Sequence, residues 1–478
     1  MADTETDIKS LIRAEGGRPD GVAIAHVLAS TLFLALGAAA AGVAILSMSF
    51  PAFIPLGYGI FRPIAMAALM IGFGVVSVVG GSYYVLPRLT GAPLWNGPLA
   101  QLGLALIAGS TIAGVVVVGL GFGDGREPFG FPWWLDLPLL AGLAIPPLVA
   151  IQTVRGRTET YTFITIPYIL CALGAFPLLY VAGNLPATTS VSSVIGDLFY
   201  TSAHLVALVI AAAGLAFYAI VRQGDHPLAG RQLASVGLWS LLFGMGWFGI
   251  AQTAGGPYPT WLGAIAGVLG LALPVGAMAV AAAVISTVHG AWRRSGGGPD
   301  PVVATAVAGT GLALVVTVMA AAAGFGNSST LLALTPYWEG VTYALLLGVL
   351  PLLIASWTFQ ALPRMMGRLL YSSDSARRFI KLTLFGAGGL LVTMTVAGLV
   401  MGYTWAGSSF LGAFTAVGAE WSTVAALANV FVGFAGLAGG VAAIANLSLA
   451  SLLFRSITQG EATAQEILVT QRGGVGGS

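Results

Sequence analysis

Residues 62–88 read RPIAMAALMIGFGVVSVVGGSYYVLPR, with no charged side chain between Arg62 and Arg88. A helix needs roughly 20 apolar residues to cross the hydrocarbon core of a bilayer, and this stretch exceeds that length. It closes on an aromatic pair and a basic residue, Tyr83-Tyr84-Val85-Leu86-Pro87-Arg88. Aromatic rings and snorkelling cations favour the membrane–water interface, so the segment reads as one complete span.

Similar spans fill the chain on both sides. Apolar runs lie at 24–48, 62–86, 97–122, 131–154, 161–183, 194–221, 232–254, 262–288, 301–324, 336–362, 382–405 and 423–454. Of the 478 residues, 57% are hydrophobic and 8% charged. Mean hydropathy is +0.92. A water-soluble surface needs more charge than this, so the composition excludes a soluble globular protein. It also offers no basic patch for nucleic acid. Cys171 is the single cysteine, which excludes an internal disulfide and any cysteine-rich zinc or iron–sulfur site.

Orientation follows from the loops. With the N-terminus inside, 17 of the 19 Lys and Arg residues fall on inner segments, and only Arg62 and Arg126 fall outside. Basic residues are retained on the cytoplasmic side, so both termini are expected there. The densest cluster is Arg364, Arg368, Arg377, Arg378 and Lys381. Residues 1–23 read as a polar cytoplasmic tail with no removable signal peptide. Residues 456–478 read as a flexible cytoplasmic tail, leaving 24–455 as the membrane domain.

The ending of the opening stretch recurs. The sixth span closes on Phe217-Tyr218-Ala219-Ile220-Val221-Arg222 and the tenth on Phe359-Gln360-Ala361-Leu362-Pro363-Arg364. The three arginines stand 134 and 142 residues apart, four spans each time. One copy reads as an interface belt. Three copies at one period predict an all-α membrane protein of twelve helices, built as three four-helix arcs around a pseudo-threefold axis.

That plan resembles subunit I of the haem–copper oxidase superfamily, most of all its branch of cbb-type cytochrome c oxidases and nitric-oxide reductases. The resemblance is carried by Phe61-Arg62-Pro63-Ile64-Ala65, by Ser82 through Arg88, and by Leu94-Trp95-Asn96-Gly97. Trp133-Trp134-Leu135-Asp136 and the segment from Leu362-Pro363-Arg364 to Tyr371-Ser372 match as well. It implies a bacterial inner-membrane subunit that works with other membrane or cytochrome-type subunits in respiratory electron transport and proton translocation.

The resemblance also implies two haems and a copper, held by about six histidines. This chain has four: His26, His204, His226 and His289. In the register set by Arg62-Pro63, the low-spin haem ligand position is Ala65. The copper-ligand position of span six falls near Thr201, and the paired positions of span seven near Ala251 and Gln252. The span-ten positions fall near Val341 and Tyr343. No haem and no metal are therefore expected, although Met66 adjoins Ala65. A non-catalytic or repurposed subunit is the first reading. An active oxidase or nitric-oxide reductase with unusual haem b ligation is the second, and a free-standing transporter the third.

Ionisable groups within a bilayer are costly and mark candidate sites. His204 reads either as a ligand or proton carrier, or as a histidine hydrogen-bonded inside the bundle. Asp197, two turns earlier on the same face, forms a proton-active or cation-binding pair with it, or else is an interface carboxylate. Glu339 and Asp136 open their helices at the outer side, where the helix dipole favours a carboxylate. His26 is expected to snorkel at the inner interface. Asn429 and Asn446 are expected to bond neighbouring helices.

Overall fold

The structure, a computed structural model, describes residues 20–50, 57–126, 128–184, 190–225, 227–252, 259–295, 300–333, 335–405 and 421–460. Among them the chain is helical and has no β-strand. Twelve helices are long and apolar enough to cross a membrane. They are α1 (Gly21–Ser49), α2 (Tyr58–Thr90), α3 (Gly97–Gly119), α4 (Trp133–Arg155), α5 (Thr165–Gly183) and α6 (Tyr200–Gly224). The second half comprises α7 (Arg231–Ile250), α8 (Trp261–His289), α9 (Pro301–Ala323), α10 (Pro336–Met366), α11 (Ser373–Tyr403) and α12 (Ala426–Gln459). In lipid, a backbone without such internal hydrogen bonds would leave every peptide group unsatisfied.

Local sequence sets the helix ends. Asn96 accepts a hydrogen bond from the Leu99 N–H at 3.0 Å and starts α3. Asp300 accepts from Val302 N–H at 2.8 Å, with Pro301 following, and starts α9. Both caps satisfy donors that the first turn leaves open. The helices α2 and α10 end on matching stretches, Leu86-Pro87-Arg88-Leu89-Thr90-Gly91 and Leu362-Pro363-Arg364-Met365-Met366-Gly367. Gly91 has φ +70° and Gly367 has φ +62°. That left-handed turn suits glycine and stops each helix three residues after its arginine.

Burial separates the helices into two classes. In α2, α6 and α10, 94%, 94% and 100% of the membrane-spanning window is buried, against 33–61% in the other nine. These three are the first, second and third copies of the repeat, and Arg88, Arg222 and Arg364 occupy their last turns. α6 packs on α10, and α2 touches both. Around them the arcs run α1–α4, α5–α8 and α9–α12. α4 meets α5, α8 meets α9, and α12 closes the ring against α1. The expected pseudo-threefold bundle is the observed one.

Both α2 and α10 widen into π-helical turns midway, at Ala67–Val75 and Leu345–Val349. Each begins just past Ala65 or Tyr343, so the distortion respects the repeat. Small residues let the inner helices close up. A Cβ on Gly72 would collide with the Phe33 ring, and one on Gly81 would lie 2.6 Å from Leu215 Cδ1. Trp357, also against Gly81, is fully buried.

Several boundaries differ from the sequence expectation. Asp20 pairs with Arg88, and α1 begins at Gly21, before residue 24. α11 begins at Ser373, placing Arg377, Arg378 and Lys381 on its first turns and not in a loop. α12 continues to Gln459, held by Arg368 Nη1 donating to Ile457 O at 2.7 Å and Tyr371 N–H donating to Ser456 Oγ at 3.1 Å. Residues 1–19 and 461–478 lie outside the described residues, as does His226.

Candidate functional site

His204 sits near the start of α6 and is fully buried. Phe176 of α5 stacks on its ring at 5.0 Å, with planes 25° apart. Tyr200, one turn earlier, presents an edge at 5.3 Å. Among the described residues neither ring nitrogen of His204 has a hydrogen-bond partner, and the Tyr200 hydroxyl has none. Tyr200 meets Tyr180 of α5 at 5.7 Å between rings, and Tyr180 Oη donates to Asp136 Oδ1 of α4 at 2.5 Å. A row of Asp136, Tyr180, Tyr200 and His204 thus leads from the first turn of α4 into the bundle.

Sequence spacing alone does not reveal this row: Asp136 reads as a partner of its own helix dipole, yet it accepts from a tyrosine of the next helix. The signal available in the sequence was the spacing of Tyr200 and His204, which places both on one face of α6.

Glu339 belongs to a different set of contacts. Its Oε1 accepts from Arg62 Nε at 2.9 Å, and Arg62 Nη2 lies 2.9 Å from the same oxygen. The pair joins the starts of α10 and α2. Of the candidate polar residues, His204 faces α5 and Glu339 faces α2. The side chain of Asp197 lies outside the described residues.

Other expectations resolve individually. His26 does not snorkel. It is 1% exposed, its Nδ1 is 2.7 Å from Val22 O, and Tyr83 packs edge-on at 5.3 Å. The backbone bond satisfies Nδ1, while Nε2 is buried with no hydrogen-bond partner among the described residues. Asn446 Nδ2 donates to Leu347 O of α10 at 2.8 Å, bridging helices as expected. Asn429 and His289 are exposed.

The positions assigned to cofactor ligands lie in the interior. Ala65, Val341 and Tyr343 are buried, and Met66 beside Ala65 is buried too. Gln252 Nε2 donates to Ser202 Oγ at 2.8 Å and so ties α7 to α6. Thr201 is half-buried, and the Ala251 side chain lies outside the described residues. A low-spin haem requires axial donors on facing helices at one depth. His204 lies 18 residues before Arg222, about 27 Å along its helix, whereas His26 packs on Tyr83, about 7 Å from Arg88. Two histidines about 20 Å apart along the bundle cannot share one iron. The described donors do not fit a bis-histidine haem. No group of three or more His, Cys, Asp or Glu side chains suited to a metal occurs among the described residues.

Against this geometry, the model of the family "Cytochrome C and Quinol oxidase polypeptide I" matches residues 21–432. The chain belongs to this family. The match runs from the first turn of α1 through α11 to the start of α12. The chain is 24% identical over 410 residues to the cytochrome c oxidase subunit 1 of Rhodobacter capsulatus, covering 81% of this chain and 76% of that one. It is 24% identical over 449 residues to a cytochrome c oxidase subunit 1 homolog of Azorhizobium caulinodans, covering 88% and 79%. A homolog from Agrobacterium tumefaciens is 22% identical over 254 residues, covering 50% and 46%. With twelve hydrophobic helices and bacterial relatives, this family member is a multi-pass bacterial membrane protein.

Proposed function

We propose that this member of the oxidase subunit I family is a non-catalytic or repurposed membrane subunit of a respiratory or ion-translocating redox complex. It contributes architecture and partner contacts, holds no haem or copper of its own, and assembles with other membrane or cytochrome-type subunits. One feature carries the reading: the buried histidines of the described residues, His26 and His204, stand about 20 Å apart along the bundle by helix rise. The ligand positions expected from the family resemblance are Ala65, Thr201, Ala251, Gln252, Val341 and Tyr343, none of which supplies an imidazole.

Purification from the native membrane in a mild detergent tests the assembly. The expected result is copurification of a cytochrome-bearing subunit in stoichiometric amount. A chain that purifies alone, with intact membranes extracted under the same conditions as a control on complex integrity, contradicts it.

A second reading, a haem b oxidoreductase with unusual ligation, is favoured by one feature. His204 is fully buried and both its ring nitrogens are unbonded among the described residues. A ligand histidine would present one nitrogen in that way.

A further inference from the structure

At the arginine-rich end of the bundle, a cavity of about 290 Å³ opens between α11 and α12. Arg378 of α11 and Arg455 of α12 line it, and Ser375 and Ser451 add hydroxyls. Arg455 lies 5.6 Å over the Tyr371 ring. Among the described residues neither arginine makes an ion pair or a hydrogen bond. The surrounding charges do not answer them. From Leu362 to Gly460 the described residues hold one carboxylate, Asp374, and Arg377 pairs with it at 3.6 Å. The other charges there are cations: Arg364, Lys381, and Arg368, which is bonded to Ile457 O. The site is therefore positive however its neighbours are counted. Glu461, the next acidic residue in the sequence, lies outside the described residues.

The helix faces that continue from the cavity show the other half of the ligand. At about 100° per residue, Leu382, Phe385 and Val392 share with Arg378 an arc of about 80° on α11, and all three are exposed. On α12, Ser448, Ile444 and Leu437 stay within about 20° of Arg455, and Ile444 and Leu437 are exposed. The two helices come close between these stripes, where a Cβ on Gly389 would lie 3.3 Å from the Ala438 Cβ. An apolar groove thus runs from the two arginines toward the middle of the bilayer, on the same helix faces that carry them.

We propose that this cavity binds the phosphodiester headgroup of an anionic membrane lipid between Arg378 and Arg455, with an acyl chain in the groove between α11 and α12. A planar guanidinium offers forked donors to phosphate oxygens, and basic pockets between spanning helices attract anionic headgroups. A free phosphate would occupy the arginines and leave the groove unused. The headgroup bridges the last two helices of the third arc.

Native mass spectrometry of the full chain in mild detergent, titrated with phosphatidylglycerol or phosphatidylcholine of equal chain length, tests the site. Phosphatidylglycerol is expected to bind about 25-fold more tightly, about fivefold for each arginine. Both arginines are exposed, so their substitution spares the fold. R378Q and R455Q are each expected to cut the preference about fivefold, and the double variant to abolish it. R157Q, at an exposed position between α4 and α5, is expected to keep it and controls for general loss of charge. Equal binding of both lipids, or equal losses in R157Q and R378Q, overturns the proposal. Displacement of phosphatidylglycerol by tenfold inorganic phosphate overturns the lipid assignment in favour of a soluble phosphate. A preference that emerges only in E461Q gives the arginines to the chain's own C-terminal segment and likewise overturns it.

Discussion

Arg62 and Glu339 stand 277 residues apart and meet at 2.9 Å, locking the first turns of α2 and α10 together. Arg62 is one of two basic residues on the arginine-poor side, where positive charge is unusual. Its partner accounts for its presence there. Both side chains are mostly buried, 16% and 23% exposed, so loss of one charge removes the ion pair from a poorly solvated place. Glu339→Gln is expected to lower stability by about 2 kcal/mol. Thermal unfolding of wild type and variant in detergent measures this, and Arg62→Gln/Glu339→Gln should recover part of the loss. An unchanged Tm for Glu339→Gln would show the pair to be irrelevant to stability.

Packing of the inner helices gives a second expectation. Gly72 faces the Phe33 ring with no room for a methyl group, while a Cβ at Gly109 meets nothing within 4 Å. Gly72→Ala should cost about 1–3 kcal/mol through overpacking, and Gly109→Ala should be neutral or mildly stabilising. Detergent melting curves that rank the two variants equally would contradict the close approach of α1 and α2.

Much of this fold is legible in the sequence because lipid imposes simple rules. Length, hydropathy and the side preference of arginine locate twelve helices, and the recurrence of Tyr84, Tyr218 and Phe359 before an arginine locates the axis. Polar pairing was less legible. Arg62 reads as an exception to the charge rule until Glu339 is placed against it by the closure of the ring. Asp136 reads as a dipole partner because its true partner, Tyr180, comes from another helix. His26 reads as an interfacial residue because sequence depth does not reveal that Tyr83 covers it. Each miss concerns a contact between spans, which local rules cannot supply.

His204 yields a discriminating substitution. A buried imidazole with neither nitrogen bonded is a cost to the fold, and an apolar side chain removes it. His204→Leu is expected to raise stability by about 1–2 kcal/mol and to leave subunit assembly intact. Melting curves and copurification report both. A destabilised variant that fails to assemble would place an unseen partner or ligand on His204.

Orientation is expected from charge alone. Both termini and the segment from Arg364 to Arg378 should face the cytoplasm. Fusions of a reporter active only in the cytoplasm to either terminus, together with cysteine labelling at Ser372→Cys, measure this. External labelling at position 372, or an inactive reporter at either end, would invert the bundle or remove a span.

Haem content decides between the supporting-subunit reading and the enzyme. A pyridine haemochrome assay is to be run on this chain purified from its native membrane and separated from its partners, with protein quantified by amino-acid analysis. The expected result is less than about 0.1 haem per chain, the same in wild type and in His204→Ala, because the two buried described histidines, His26 and His204, stand at different depths. About one haem per chain in the wild type, abolished by His204→Ala, would contradict the supporting-subunit reading and make the protein a haem enzyme.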